Sequence, residues 1–195
     1  MFYKTVDASA LAVNTQELSR RLSSPNDMFH LDDERYKRLV LAASPSYAAE
    51  RVAIKRTGEG VFIGNIYTNS AALRRVCSGC EECFVMTCTL GHGVDKLIAK
   101  ESHLSVVDAF YIDALADALI ESLCDLAERE LCDSLTTRPR FSPGYSDLPL
   151  SVGQEIVKLL GSEIRQGIKF TDSEMMIPRK SVSAIICIQR SVEEI

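Results

Sequence analysis

The 195-residue sequence contains no apolar run approaching the roughly 20 residues that span a bilayer as a helix, so no membrane partner is expected. Its first residues, Met1-Phe-Tyr-Lys-Thr-Val-Asp7, lack the apolar core of an export signal, and the expected compartment is the cytoplasm. Positive charge is scarce. There are 22 Lys and Arg against 27 Asp and Glu, a net charge of −5, and no basic stripe. Nucleic-acid binding needs clustered cations to neutralise phosphates, so no nucleic-acid partner is expected. The three histidines, His30, His92 and His103, lie far apart, and none stands in a motif that would build a nucleophilic triad. His92, between Gly91 and Gly93, is expected as an exposed loop residue. No His-Glu-x-x-His, Gly-Lys-Ser/Thr or Gly-x-Ser-x-Gly sequence occurs, which argues against a self-contained hydrolase or kinase.

What is present in quantity is apolar. Hydrophobic residues make up 46% of the chain and charged residues 25%, enough for one core within a single domain over residues 1–195. The seven cysteines are an odd number in a chain without an export signal, which favours reduced thiols. Cys77, Cys80, Cys83 and Cys88 have a spacing that suggests a zinc or iron-sulfur site. Local pattern opposes it, because these residues fall on a helix end, a turn and both ends of a strand. They are read as small buried hydrophobes, with a metal-binding redox protein as a minor alternative.

Periodicity and punctuation outline the elements. Asn14-Thr-Gln-Glu17 is a capping box that opens a short helix to Leu22, stopped by Ser23 to Asn26. A helix is expected over Asp32 to Ala43, and strands over Tyr47 to Lys55 and Val61 to Tyr67, joined by the turn Thr57-Gly-Glu-Gly60. The glycines Gly58, Gly60 and Gly64 lie between strand-forming residues and so make a turn, not a nucleotide loop. Ser70 caps a helix to Cys77, and Glu82 to Leu90 is a buried strand. Thr89 to Asp95 reads as a loop leading into a helix. The longest helix covers about Ser105 to Ser134, with Val106, Phe110, Ala114, Ala118, Leu119, Leu123 and Leu126 at helical intervals. Ser151 to Glu163 is helical, Ile168 to Thr171 extended, and Ser181 to Gln189 is an apolar final strand. Helices and strands interleave without βαβ repetition and the hairpin requires antiparallel pairing, so the fold class is α+β.

The segment Arg140-Phe-Ser-Pro-Gly-Tyr145 places a guanidinium, which matches a carboxylate or phosphate, beside a stiff tight turn. Farther on comes Gly167-Ile-Lys-Phe-Thr171-Asp-Ser173-Glu-Met-Met176-Ile-Pro178-Arg-Lys-Ser181-Val-Ser183. Together, an Arg-x-x-x-Gly-Tyr loop and a Thr-x-Ser-x-x-Met-x-Pro-x-x-Ser-Val-Ser segment resemble the activation domain of cobalamin-dependent methionine synthase. The helix Ala114 to Glu121 resembles that family's helix whose glutamate lines the ligand site. The resemblance covers about residues 80 to 189.

It implies a bent, mainly antiparallel sheet packed with helices, and S-adenosylmethionine as ligand. Arg140 would pair with the methionine carboxylate and Glu121 would attract the ammonium or the sulfonium. Backbone groups at Ser142 and Gly144 would meet adenine or ribose edges, and Tyr145 would pack beside the ligand. Met175, Met176 and Pro178 are expected in supporting core positions. Cobalamin is implied only through a partner, since the sequence has no Asp-x-His-x-x-Gly to ligate cobalt. The partner would be a corrinoid-binding protein or the remaining methionine synthase modules, with a flavodoxin-like electron donor. The chain would then be a component of a methyltransferase without a complete active site of its own. The family also carries an aspartate near the start of the domain and two tyrosines beyond the final strand, and neither has a counterpart placed in this sequence. That departure motivates a second reading, a non-enzymatic interaction protein of the same fold that has lost ligand binding.

Overall fold

The structure, a computed structural model, describes residues 1–13 and 34–189. The capping box at Asn14, its stop at Ser23 to Asn26, and His30 lie outside the described residues.

One long strand organises the sheet. β2 (Ser46–Arg56) pairs antiparallel along one edge with β5 (Cys80–Thr89). Its other edge is shared: β1 (Phe2–Thr5) takes the first half and β3 (Val61–Ile63) the second. β4 (Ile66–Thr68) extends the sheet beyond β3, and β8 (Ser181–Gln189) closes it beside β5. Every pairing is antiparallel. The expected strand from Val61 to Tyr67 is two short strands, because Gly64 adopts φ 60° and turns the chain between them. β6 (Lys169–Phe170) and β7 (Met176–Ile177) form a separate small hairpin.

The period-2 alternation of β5 and β8 divides the apolar residues between two faces. Phe84, Met86 and Cys88 join Ala184 and Ile186 in one core, and Cys83 and Val85 join Ile185 and Cys187 in the other. Cys88 therefore lies across the sheet from Cys83, and the four closely spaced cysteines do not converge. Each is fully buried with a free thiol, as small hydrophobes should be.

The first face is covered by α1 (Glu34–Ala42), α3 (His92–Leu104) and α4 (Val106–Leu131), the second by α2 (Ala71–Val76) and α5 (Ser151–Leu160). Ser70 caps α2 and Ser105 caps α4 through their hydroxyls, each accepting from the backbone N–H three residues on. α5 ends sooner than Glu163, since Gly161 turns left-handed (φ 61°) before the short α6 (Ser162–Arg165).

Two expectations need correction. His92 is exposed as expected, but it opens α3 instead of sitting in the loop before it, and its Nε2 lies 3.1 Å from the carbonyl of Gly167. Gly93 beside it is a packing residue: an added Cβ would lie 2.1 Å from the carbonyl oxygen of Ala42 at the end of α1. On α4, Val106 and Phe110 are 76% and 60% exposed, so the buried stripe begins instead at Ala109 and Ile112. The mixed helix and antiparallel sheet otherwise matches the α+β class. Among the described residues no helix is long and apolar enough to cross a membrane.

Candidate functional site

The loop from Arg140 to Pro149 joins α4 to α5 along the edge of β8. Phe141 exchanges both backbone hydrogen bonds with Ile185 at 2.9 Å, and Arg138 N–H donates to the carbonyl of Cys187. The loop thus behaves locally as an added strand, in which neighbouring side chains alternate faces. Phe141 packs on the core containing Ile185, and Arg140 turns to the opposite side, towards α4.

The far end of the loop is fixed by a residue the sequence reading passed over. Asp147 accepts hydrogen bonds from Ser70 Oγ (2.5 Å), Ala71 N–H (2.7 Å) and Ala72 N–H (3.1 Å), satisfying the exposed donors that begin α2. Ser70 first, then these backbone donors, hold the Asp147 carboxyl below its ordinary pKa. Between the two anchors Gly144 adopts φ 90°, its N–H donates to the carbonyl of Leu148, and an added Cβ would lie 2.9 Å from Leu150 Cδ2. Only glycine meets both demands, which is why the turn carries it.

α4 presents a ladder of carboxylates, Asp113, Asp117, Glu121, Asp125 and Glu128, spaced so that all share one face. Cations from both sequence motifs lie on this ladder. Lys180, buried just before β8, sits 3.0 Å from Asp113 and 2.5 Å from Asp117, and Arg179 reaches Asp113 at 3.9 Å. Arg140, whose side chain is 20% exposed, places Nη2 3.1 Å from Glu121 and 3.0 Å from Asp125, and Nε 3.5 Å from Glu128. Its Nη1 is buried and makes no hydrogen bond to a described residue.

A cleft of about 260 Å³ lies between the loop, α4, α5 and the β6–β7 hairpin. Three of the expected site residues, Glu121, Ser142 and Tyr145, line it, together with the Ser181 to Ser183 segment of the second motif. Gly144 shapes the loop without lining the cleft. Arg140 lies behind Glu121 and lines a different depression with Glu128, Thr137, Arg138 and Pro139. Tyr145 is 65% exposed and forms the outer rim, its ring centroid 6.4 Å from that of Phe141. Met176 also lines the cleft and Met175 is exposed, so of the three residues expected in supporting core positions only Pro178 is buried. Gly153, Phe170 and Glu174 are cleft residues that sequence reasoning missed. The signal for Gly153 was present in its place on the apolar face of α5, but Phe170 and Glu174 owe their position to the hairpin, which only tertiary structure reveals.

No protein-family model and no curated protein sequence matches this chain. In three dimensions the chain is similar to the reactivation domain of MetH, whose crystal structure has AdoHcy bound. The TM-score is 0.69 at 17% sequence identity, with 100% of this chain and 81% of that one covered. The chain has the fold of a methionine synthase reactivation domain.

Proposed function

We propose that this chain is an S-adenosylmethionine-binding activation subunit that supports reductive methylation of cobalamin on a separate methionine synthase or other corrinoid protein. One observation carries the reading: residues of both sequence motifs and Glu121 of α4 line a single cleft, in a fold shared with a domain crystallised with AdoHcy. The residues fit such a ligand. Glu121 offers a half-exposed carboxylate to an ammonium, and the orphaned Arg140 Nη1 is an unsatisfied donor behind it. Tyr145 supplies an aromatic face at the rim, and Ser142 lines the same wall, held there by the turn at Gly144. At about 260 Å³ the cleft lies just below the roughly 300–1,000 Å³ typical of small-molecule sites.

S-adenosylmethionine would supply the methyl group to cobalt on the partner, with an electron from a flavodoxin-like donor, leaving S-adenosylhomocysteine. The role of this chain is to hold the methyl donor and aim it. The open rim at Tyr145 leaves the donor reachable from outside, as delivery to a second protein requires.

The test is transfer of a labelled methyl group from S-adenosylmethionine to a corrinoid-loaded partner under reducing conditions. Transfer should depend on this chain and fall when Tyr145 or Glu121 is replaced. Label transfer that is unaffected by omitting the chain would contradict the proposal.

The engagement of Arg140 with three carboxylates favours one alternative, an interaction protein of the same fold that no longer binds the ligand. Capture of a corrinoid protein on the immobilised chain separates the two. The activation reading predicts capture that changes with S-adenosylmethionine, and the alternative predicts capture that ignores it.

A further inference from the structure

We infer that Glu174 makes the cleft selective for charge, so that it takes the sulfonium form of the ligand over the neutral thioether; this rests on the S-adenosylmethionine reading. Among the described residues lining the cleft, Glu121 and Glu174 are acidic and none is basic. Arg140, paired with Glu121, is shared with Asp125 and Glu128, so that group of four carries three negative charges against one positive. Glu174 has no ion-pair partner among the described residues. Its side chain accepts one long hydrogen bond of 3.5 Å, from Gln154 Nε2. A ligand that brings a second positive charge into this space meets Glu174 beyond the ammonium's partner Glu121, and a ligand without that charge gains less from it.

The backbone points the same way. Glu174 adopts φ 61° at the tip of the β6–β7 hairpin, a conformation that disfavours glutamate relative to glycine or asparagine. The turn around it is tied tightly. Thr171 N–H donates to the carbonyl of Met175, Glu174 N–H donates to the carbonyl of Thr171, and Met175 N–H donates to Thr171 Oγ1. A strained residue held by its surroundings, with a charged side chain lining a cleft, is the pattern of a residue kept for what its side chain does.

S-adenosylmethionine carries a sulfonium, an ammonium and a carboxylate, and S-adenosylhomocysteine lacks the sulfonium charge. Since the proposed reaction converts the first into the second, the same carboxylate would favour substrate entry and product release.

The experiment measures binding of both compounds by calorimetry to the full chain, to Glu174→Gln, and to Glu174→Asn, which suits the left-handed turn. The wild type should prefer S-adenosylmethionine. Both variants should lose about tenfold for it, as removal of one solvent-screened charge contact allows, and stay within about twofold for S-adenosylhomocysteine. Added salt should erode the wild-type preference. Equal affinity of the wild type for the two compounds, or equal loss for both in either variant, overturns the role of Glu174 and leaves the ligand assignment standing. Failure of the wild type to bind either compound overturns the ligand assignment itself.

Discussion

Arg140 Nη2 lies 3.1 Å from Glu121 Oε2, so the cation and the anion expected to take the two charges of an amino-acid ligand are paired with each other. Asp125 and Glu128 complete the arrangement on the same helix face. A zwitterion entering the cleft would exchange one ion pair for two, its ammonium meeting Glu121 and its carboxylate meeting Arg140. Such an exchange couples the two residues. Arg140→Ala should weaken S-adenosylmethionine binding by about 30-fold, equivalent to roughly 2 kcal/mol, and Glu121→Gln by about tenfold. The double variant should lose less than the product of the two, because partners in one network do not act additively. Calorimetry on the four proteins checks this, and strict additivity would argue that the two residues act separately.

Arg140 should also stabilise the fold itself. Without it, Glu121, Asp125 and Glu128 face one another at spacings of four and three residues, where like charges are unfavourable. The partners are partly exposed and screened, so the expected cost of Arg140→Ala is about 1–2 kcal/mol. Urea unfolding would report it as a lower midpoint with an unchanged slope. Adding Glu128→Gln should restore part of the loss.

Gly93→Ala should be among the most damaging single changes. An added Cβ would lie 2.1 Å from the backbone oxygen of Ala42, and neither helix end has a flexible side chain that could yield. Ordinary overpacking costs about 1–3 kcal/mol, and a clash with backbone should reach at least the top of that range. Thermal unfolding of Gly93→Ala beside Gly58→Ala, where the new Cβ meets nothing within 4 Å, isolates the effect of the clash.

Acid should weaken the anchor of the site loop. Hydrogen bonds from Ser70, Ala72 and Ala71 depress the Asp147 pKa, and bonds from Lys4 and Tyr47 depress that of Glu130. A depressed carboxylate contributes stability that is complete above its unfolded value and is lost as pH falls through its folded value. Those unfolded values are about 3.9 for Asp and 4.3 for Glu. Stability should therefore hold down to about pH 4 and decline below it. Asp147→Asn should flatten this decline and lower stability at pH 7, as read from midpoints of denaturation across the series.

Six of the seven cysteines are buried, and Cys132 alone is half-buried. Burial pushes the thiols of Cys83 and Cys88 upward, and Cys77 beside Cys187, with Sγ atoms 3.4 Å apart, does the same for Cys187. In native protein at pH 8, a thiol reagent should modify Cys132 well ahead of the rest, and all seven should react only after denaturation. Rapid modification of several thiols in the native state would show that the two cores are looser than described.

Much of this organisation could be read directly from residues. Ser70 and Ser105 announce their helices, Thr57 to Gly60 turns a hairpin, and Ser181 to Gln189 is the closing strand at both ends. These are local signals, decided within a few residues. What escaped depends on distant partners. The short strand β1 forms because β2 offers it an edge, and Asp147 became visible as a cap only when the loop met α2. Val106 and Phe110 fit the periodicity of α4, but its first turn extends past the core. The carboxylate ladder from Asp113 to Glu128 was present in the spacing and would have warned that Arg140 has competing partners.

Every functional expectation above depends on S-adenosylmethionine binding in the cleft beside Glu121, Ser142 and Tyr145. Titration calorimetry of the purified chain tests it most directly. Saturable heat with one site per chain is expected, strongly reduced in Arg140→Ala. No heat at millimolar ligand, or binding unchanged in Arg140→Ala and Glu121→Gln, would contradict it.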